Sequence, residues 1–160
     1  MAGQSFSWHP RVMTVSNPSS EFCVMSNKKL DQLVDQMENH LECWKQFNQH
    51  VNLGRTKKFA LEDDNQFLEV KSIIIQQLEL ILAALEVASP SKEEVHALVG
   101  NTPSLRYVSE LSDGAWRSLE NQWHRIYIGW HSILGQLKVK QRQEESQSTF
   151  ASIFGKKAAA

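Results

Sequence analysis

A chain of 160 residues with 17 basic and 18 acidic side chains has a net charge of -1. It is long enough to bury a sizeable core as one domain, and its balance gives no overall electrostatic case for nucleic acid or an anionic membrane. Two cysteines, Cys23 and Cys43, are too few for a disulfide framework and are expected as free thiols in a reducing compartment.

The N-terminal stretch has no basic n-region followed by an apolar h-region, so no signal peptide is expected. The longest apolar run, Ile73 to Leu85, is interrupted by Gln76, Gln77 and Glu79 and falls short of the ~20 residues of a membrane span. The expectation is a soluble, cytoplasmic protein without a membrane span.

Residues 1–25 contain Pro10, Pro18 and scattered serines with no hydrophobic period, and read as an extended or disordered segment. Trp8, Phe22 and Val24 are its candidates for docking onto the domain. A first helix is expected over about 27–52, with Ser26 as N-cap and Gly54 as the C-terminal stop. Lys28 and Lys29 oppose the helix dipole there, which leaves an earlier start near Ser20 and Glu21 open. Its apolar residues Leu30, Leu33, Val34, Met37, Leu41, Trp44, Phe47 and Val51 recur at helical spacing.

A second helix is expected over about 60–88. Glu62, Asp63 and Asp64 suit the positive end of its dipole, and Ser89-Pro90 ends it. Phe67, Val70, Ile74, Leu78, Ile81 and Leu85 form the main stripe, widened by Leu68, Ile73, Ile75, Leu80 and Leu82. A helix this apolar around its girth is expected in the middle of a bundle, with Ala83 and Ala84 admitting an indole from a neighbour.

A short helix over about 91–99 follows, with Ser91 and Glu94 spaced as a capping box. Thr102-Pro103 is then expected to open another short helix, burying Leu105, Val108 and Leu111. Ser112-Asp113-Gly114 is read as a break or kink, because glycine inside a helix costs about 1 kcal/mol relative to alanine.

The last long helix, to about 143, carries Trp116, Leu119, Trp123, Ile126, Trp130, Ile133 and Leu137 in alternating steps of three and four. That spacing makes one apolar stripe, and Gly129 and Gly135 are placed to let another helix approach it. Residues 144–160 read as a flexible tail in which Phe150, Ile153 and Phe154 form a candidate docking cluster, alongside Trp8 at the other end of the chain.

Beside the tryptophan stripe, Arg117, His124 and His131 recur every seven residues, with Glu120, Tyr127 and Lys138 nearby. Histidine transfers protons near neutral pH and arginine holds phosphate oxygens. Six residues separate Arg117 from His124 and five separate Arg125 from His131. An arginine followed after four to six residues by a histidine, late in a helical bundle, resembles the HEPN ribonucleases. Ser118 supplies the polar residue that usually follows the arginine in that family; Ile126 does not. The resemblance implies a site at a dimer interface, with arginine holding the phosphate and histidine assisting cleavage through the ribose 2′-hydroxyl.

Glu93 and His96 make a Glu-x-x-His pair, but a di-iron bundle needs a second pair and two further carboxylates. His40, His50 and Glu69 do not supply them in sequence, so no metal and no cofactor is expected. No glycine-rich phosphate loop, nucleophile elbow or Cys-x-x-Cys occurs.

The sequence therefore predicts an all-α antiparallel bundle of three long helices and one or two short ones over 26–143. Its expected core includes Trp44, Phe67, Ile74, Ile81, Trp116, Trp123, Ile126 and Trp130, with the second helix packed against the first and the tryptophan helix. The expected function is a non-enzymatic protein–protein interaction module, an adaptor, scaffold or chaperone-like bundle whose partner is another protein. A homodimer is left open and nucleic acid is not expected. The alternative is a HEPN-like dimeric ribonuclease using Arg117, His124 and His131.

Overall fold

The computed structural model describes residues 27–87 and 89–155, with the side chains of 27 and 148–155 excepted. The fold is all-α: α1 (Asn27–Thr56), α2 (Leu61–Ala84), α3 (Lys92–Gly100), α4 (Leu105–Ser109) and α5 (Asp113–Gly155), with no strand among the described residues.

α1 is the hub. It packs against α2, α4 and α5, while α3 lies against both α2 and α5. Its buried positions, Leu30, Leu33, Val34, Met37, His40, Leu41, Trp44, Phe47 and Val51, recur every three or four residues and form a stripe wide enough for two long neighbours. Phe47 meets Phe67 of α2 at 5.3 Å between ring centroids, and His40 meets Trp130 of α5 at 5.1 Å. Gln141 of α5 donates to Asp31 at 2.6 Å and Lys138 pairs with Glu38 at 2.5 Å. These pairings run α5 antiparallel to α1.

α2 is not in the middle of the bundle as expected. Phe67, Val70, Ile74, Leu78 and Ile81 are buried, but Leu68, Ile73 and Leu80 are exposed. Ala83 and Ala84 face solvent and receive no indole. The reason is that α1 and α5 pack directly together and α3 bridges α2 to α5, so α2 has neighbours on one side only. It also ends at Ala84, with Leu85 already extended (φ -134°, ψ 132°), short of the expected Ser89-Pro90.

Gly54 does not stop α1. The helix runs through it because α4 crosses there: a Cβ at Gly54 would lie 3.0 Å from Val108 Cγ1 and 3.1 Å from the Leu105 carbonyl oxygen. The terminus comes at Lys57, in the left-handed region at φ 57°. The Lys57 amide donates to the Gly54 carbonyl at 3.0 Å and that of Lys58 to Leu53 at 3.2 Å. This is a Schellman ending with lysine where glycine is usual.

Short-range capping organises the middle of the chain. Ser91 and Glu94 form the expected capping box, with amide-to-side-chain distances of 3.0 and 3.2 Å. Thr102 does not open α4. Its buried hydroxyl donates to the Leu98 and Val99 carbonyls at the end of α3, and Ser104 caps α4 through the Tyr107 amide. Two α2 side chains hold this linker: Lys71 Nζ donates to the Thr102 carbonyl at 2.6 Å, and Asp64 accepts from the Leu105 amide at 2.7 Å.

The break before α5 is present. Ser112 is its cap, accepting from the amides of Ala115 through Oγ and Trp116 through its carbonyl. α5 then continues to Gly155, past the expected end at about 143. Residues 144–154 contain no proline or glycine to stop it, and Glu, Gln and Ala propagate a helix readily. Trp116, Leu119, Ile126, Trp130, Leu134 and Leu137 are buried, while Trp123 and Ile133 are half-buried. Gly129 is approached by the buried Pro90 in the loop after α2, not by a helix: a Cβ there would lie 2.9 Å from Pro90 Cδ. Gly135 has nothing within 4 Å.

Candidate functional site

The α5 flank is the first candidate. Trp123 and Tyr127 stack at 4.8 Å, and Tyr127 meets His131 edge-on at 4.6 Å. The Trp123 indole donates to the Trp44 carbonyl of α1 at 3.1 Å, which anchors this ladder at the α1–α5 seam. Arg117, His124 and His131 are exposed and fall on one column of α5, since seven residues make nearly two turns.

Arg125 does not join His131. Six helical steps place them about 120° apart, and Arg125 turns to α3, where it pairs with Glu94 at 2.9 Å. Of the two Arg/His spacings, only Arg117 with His124 shares a face. Arg117 also borders a shallow polar recess with Ser118, Asn121, Gln122 and Arg125.

The Glu93/His96 pair is not assembled into a ligand set. His96 Nε2 lies 3.7 Å from Glu79 Oε1 of α2, the oxygen that Lys92 Nζ contacts at 2.6 Å. The Lys92 ammonium holds the Glu79 carboxyl below the usual carboxylate range. Among the described residues no three His, Cys, Asp or Glu side chains are grouped to hold a metal ion.

The polar centre of the core was not singled out from the sequence. His40 is fully buried. Its Nε2 accepts from the Trp44 indole at 3.0 Å, which puts the proton of the neutral ring on Nδ1. Gln77 of α2 lies beside that nitrogen, outside full hydrogen-bond geometry, and neither His40 Nδ1 nor Gln77 Oε1 has another partner. Burial lowers the His40 pKa to about 4 against the weaker, opposing influence of Gln77. The signal was the His40/Trp44 spacing of four, which puts the two rings on one face. This residue is a structural group enclosed by Trp44 and Trp130, with no route to substrate.

The second exposed candidate is the outer face of α2, where Ile73 and Leu80 are 41% and 54% exposed. They lie seven residues apart on one side of the helix, with Glu69 and Gln76 exposed alongside. Leu61 and Leu68 extend apolar surface along the other flank. Trp8 lies outside the described residues, as do the side chains of Phe150, Ile153 and Phe154. No helix among the described residues is long and apolar enough to cross a membrane. No protein-family model, curated protein or solved structure matches this chain.

Proposed function

We propose that the protein is a non-enzymatic interaction module, an adaptor or scaffold bundle that binds another protein through the outer face of α2. The observation that carries this reading is the exposure of Ile73 and Leu80 on a helix whose buried stripe of Phe67, Val70, Ile74, Leu78 and Ile81 is already engaged in the core. Apolar side chains at a seven-residue spacing fit the apolar stripe of a partner helix. The carboxylates of Glu62 and Glu69, both exposed on the same helix, favour a partner whose stripe is flanked by lysine or arginine.

The test uses a photo-crosslinking residue at Gln76 in the full chain to capture the partner, followed by titration with the purified partner. Ile73→Lys with Leu80→Lys should weaken binding at least tenfold while helicity and melting temperature stay unchanged. Undiminished binding by that variant ends the reading. His124→Ala should leave partner binding intact.

The second reading is a dimeric HEPN-like ribonuclease. It is supported by Arg117 and His124 sharing an exposed column of a helix anchored to α1 at both Trp123 and Lys138. Light scattering after size exclusion decides whether to pursue it. A strict monomer across concentrations removes it, because its site needs two chains. A dimer whose RNA cleavage disappears in a folded His124→Ala variant would replace the first reading.

A further inference from the structure

Where α2 ends, α5 is left uncovered on one side, and a groove of about 590 Å³ opens there. Leu85 and Val87 form one wall, Ile133 and Leu137 the other, and Lys140 stands at its mouth. Ser89, Ser132 and Gln136 complete the lining, so the groove has apolar walls with neutral polar groups between them, a single cationic group at one end and Glu86 at its edge. Its far end is closed where Pro90 seats on Gly129.

The start of α1 lies beside the mouth. Asp31, one turn into α1, accepts from Gln141, the neighbour of Lys140. Asn27, the first residue of α1, therefore lies at the same end of α5 as the mouth. Residues 1–26 carry only Arg11 and Glu21 as formal charges but hold Phe6, Trp8, Val12, Met13, Val15, Phe22, Val24 and Met25. Phe22 precedes Asn27 by five residues, a span of about 17 Å when extended. Leu137 lies roughly 12 Å back along α5 from the level of Asn27 at ~1.5 Å per residue, and about 10 Å to the side, the width of one helix; the two displacements are perpendicular and combine to about 16 Å. The reach matches the distance.

We propose that residues 1–26 of this chain occupy the groove, with Phe22 and Val24 entering at Leu137 and Lys140 and the preceding residues running toward Gly129. Glu21 then comes to the Lys140 end, where the charges are complementary. The N-terminal segment covers the apolar strip of α5 that the early end of α2 leaves open. This face is distinct from the outer face of α2, so the proposal stands independently of the partner-binding reading.

Cys23, between the two anchors, provides the test. In the full chain with Cys43→Ala, a second cysteine is placed at Gln136, on the groove rim, or at Gly135, at the same height on α5 but facing away. Both positions are exposed, and circular dichroism checks that both variants fold. A short bis-maleimide should link Cys23 to Gln136→Cys within one chain at least tenfold faster than to Gly135→Cys. Adding Phe22→Asp should bring the two rates together. Equal rates without Phe22→Asp would show a tethered segment that does not dock, and would overturn the proposal. Preferential links between chains, rising with protein concentration, would assign the groove to a second copy and overturn it as well.

Discussion

α1 and α2 invert the ranking that their sequences suggest. α2 has the denser apolar content, with Ile73-Ile74-Ile75 and Leu78, Leu80, Ile81 and Leu82 in succession. α1 interrupts its apolar residues with Asp31, Asp35, Glu38, Glu42 and Lys45. Yet no large apolar side chain of α1 is exposed, whereas α2 exposes Leu61, Leu68, Ile73 and Leu80. Position in a bundle follows from the shape of the stripe. α1 presents one broad, unbroken seam that two long helices can share, while the apolar residues of α2 spread around a girth that its neighbours cover on one side only.

The largest effect is expected at the centre of the α1 seam. Trp44 is fully buried, packs edge-on against Phe47 at 5.4 Å and donates to His40. Trp44→Ala should cost about 3–5 kcal/mol, the usual range for truncating a buried aromatic residue, with a further contribution from the unsatisfied His40 Nε2. Urea denaturation measures it. A loss below ~1 kcal/mol would mean that α1 is not the hub.

The same seam carries a pH dependence that α2 alone would not. His40 is neutral in the folded protein with a pKa of about 4, against about 6.5 in an unfolded chain. Between those values the unfolded state binds more protons, so stability rises with pH across that window. It is fully present above pH ~6.5 and is lost as pH falls toward 4. The difference corresponds to about 3 kcal/mol. The groups facing His40 are Trp44, Gln77 and Trp130, none of which titrates in this range. His40→Gln should flatten this part of the profile when denaturation is followed from pH 7 to pH 4. An unchanged slope would place the acid sensitivity elsewhere.

At the other end of α1, Gly54 tests how closely α4 must approach. Gly54→Val should clash with Val108 and the Leu105 carbonyl, costing about 1–3 kcal/mol as overpacking does. Thermal unfolding of Gly54→Ala and Gly54→Val should show a graded loss. Equal stability for all three residues would remove the close approach as the reason for glycine there.

The parts of the fold read from the sequence were those written in local chemistry: helical spacing, the Ser91/Glu94 box and the break at 112–114. The misread parts depended on partners distant in the chain. Gly54 has the local look of a stop, and only the crossing of Val108 makes it an interior glycine. Thr102 before Pro103 has the form of a helix opening, yet the Leu98 and Val99 carbonyls claim its hydroxyl. For the candidate site, seven-residue spacing correctly put Arg117 and His124 on one column. Arg125 was placed beyond reach of His131 by helical geometry, and its Glu94 partner lies on another helix. Which face of α2 is open could not be read from its own residues, because that depends on α1 and α5 packing directly together.

The smallest expected effect lies on that open face, and it sharpens the comparison most. Leu80→Gln and Ile73→Gln remove apolar side chains from positions that are 54% and 41% exposed. Each should change unfolding free energy by no more than about 0.5 kcal/mol, as exposed substitutions generally do, and glutamine keeps good helix propensity. Ile74→Gln, one residue away but fully buried, should cost several times more because an amide enters the core without partners. If Leu80→Gln proved as damaging as Ile74→Gln in the isolated protein, the outer face of α2 would already be covered in solution. A concentration-dependent melting temperature would then identify a second copy as the cover. If the small effect holds and partner binding falls, the excess apolar residues of α2 serve recognition rather than folding. Sequence density would then have marked an interface where it was expected to mark a core.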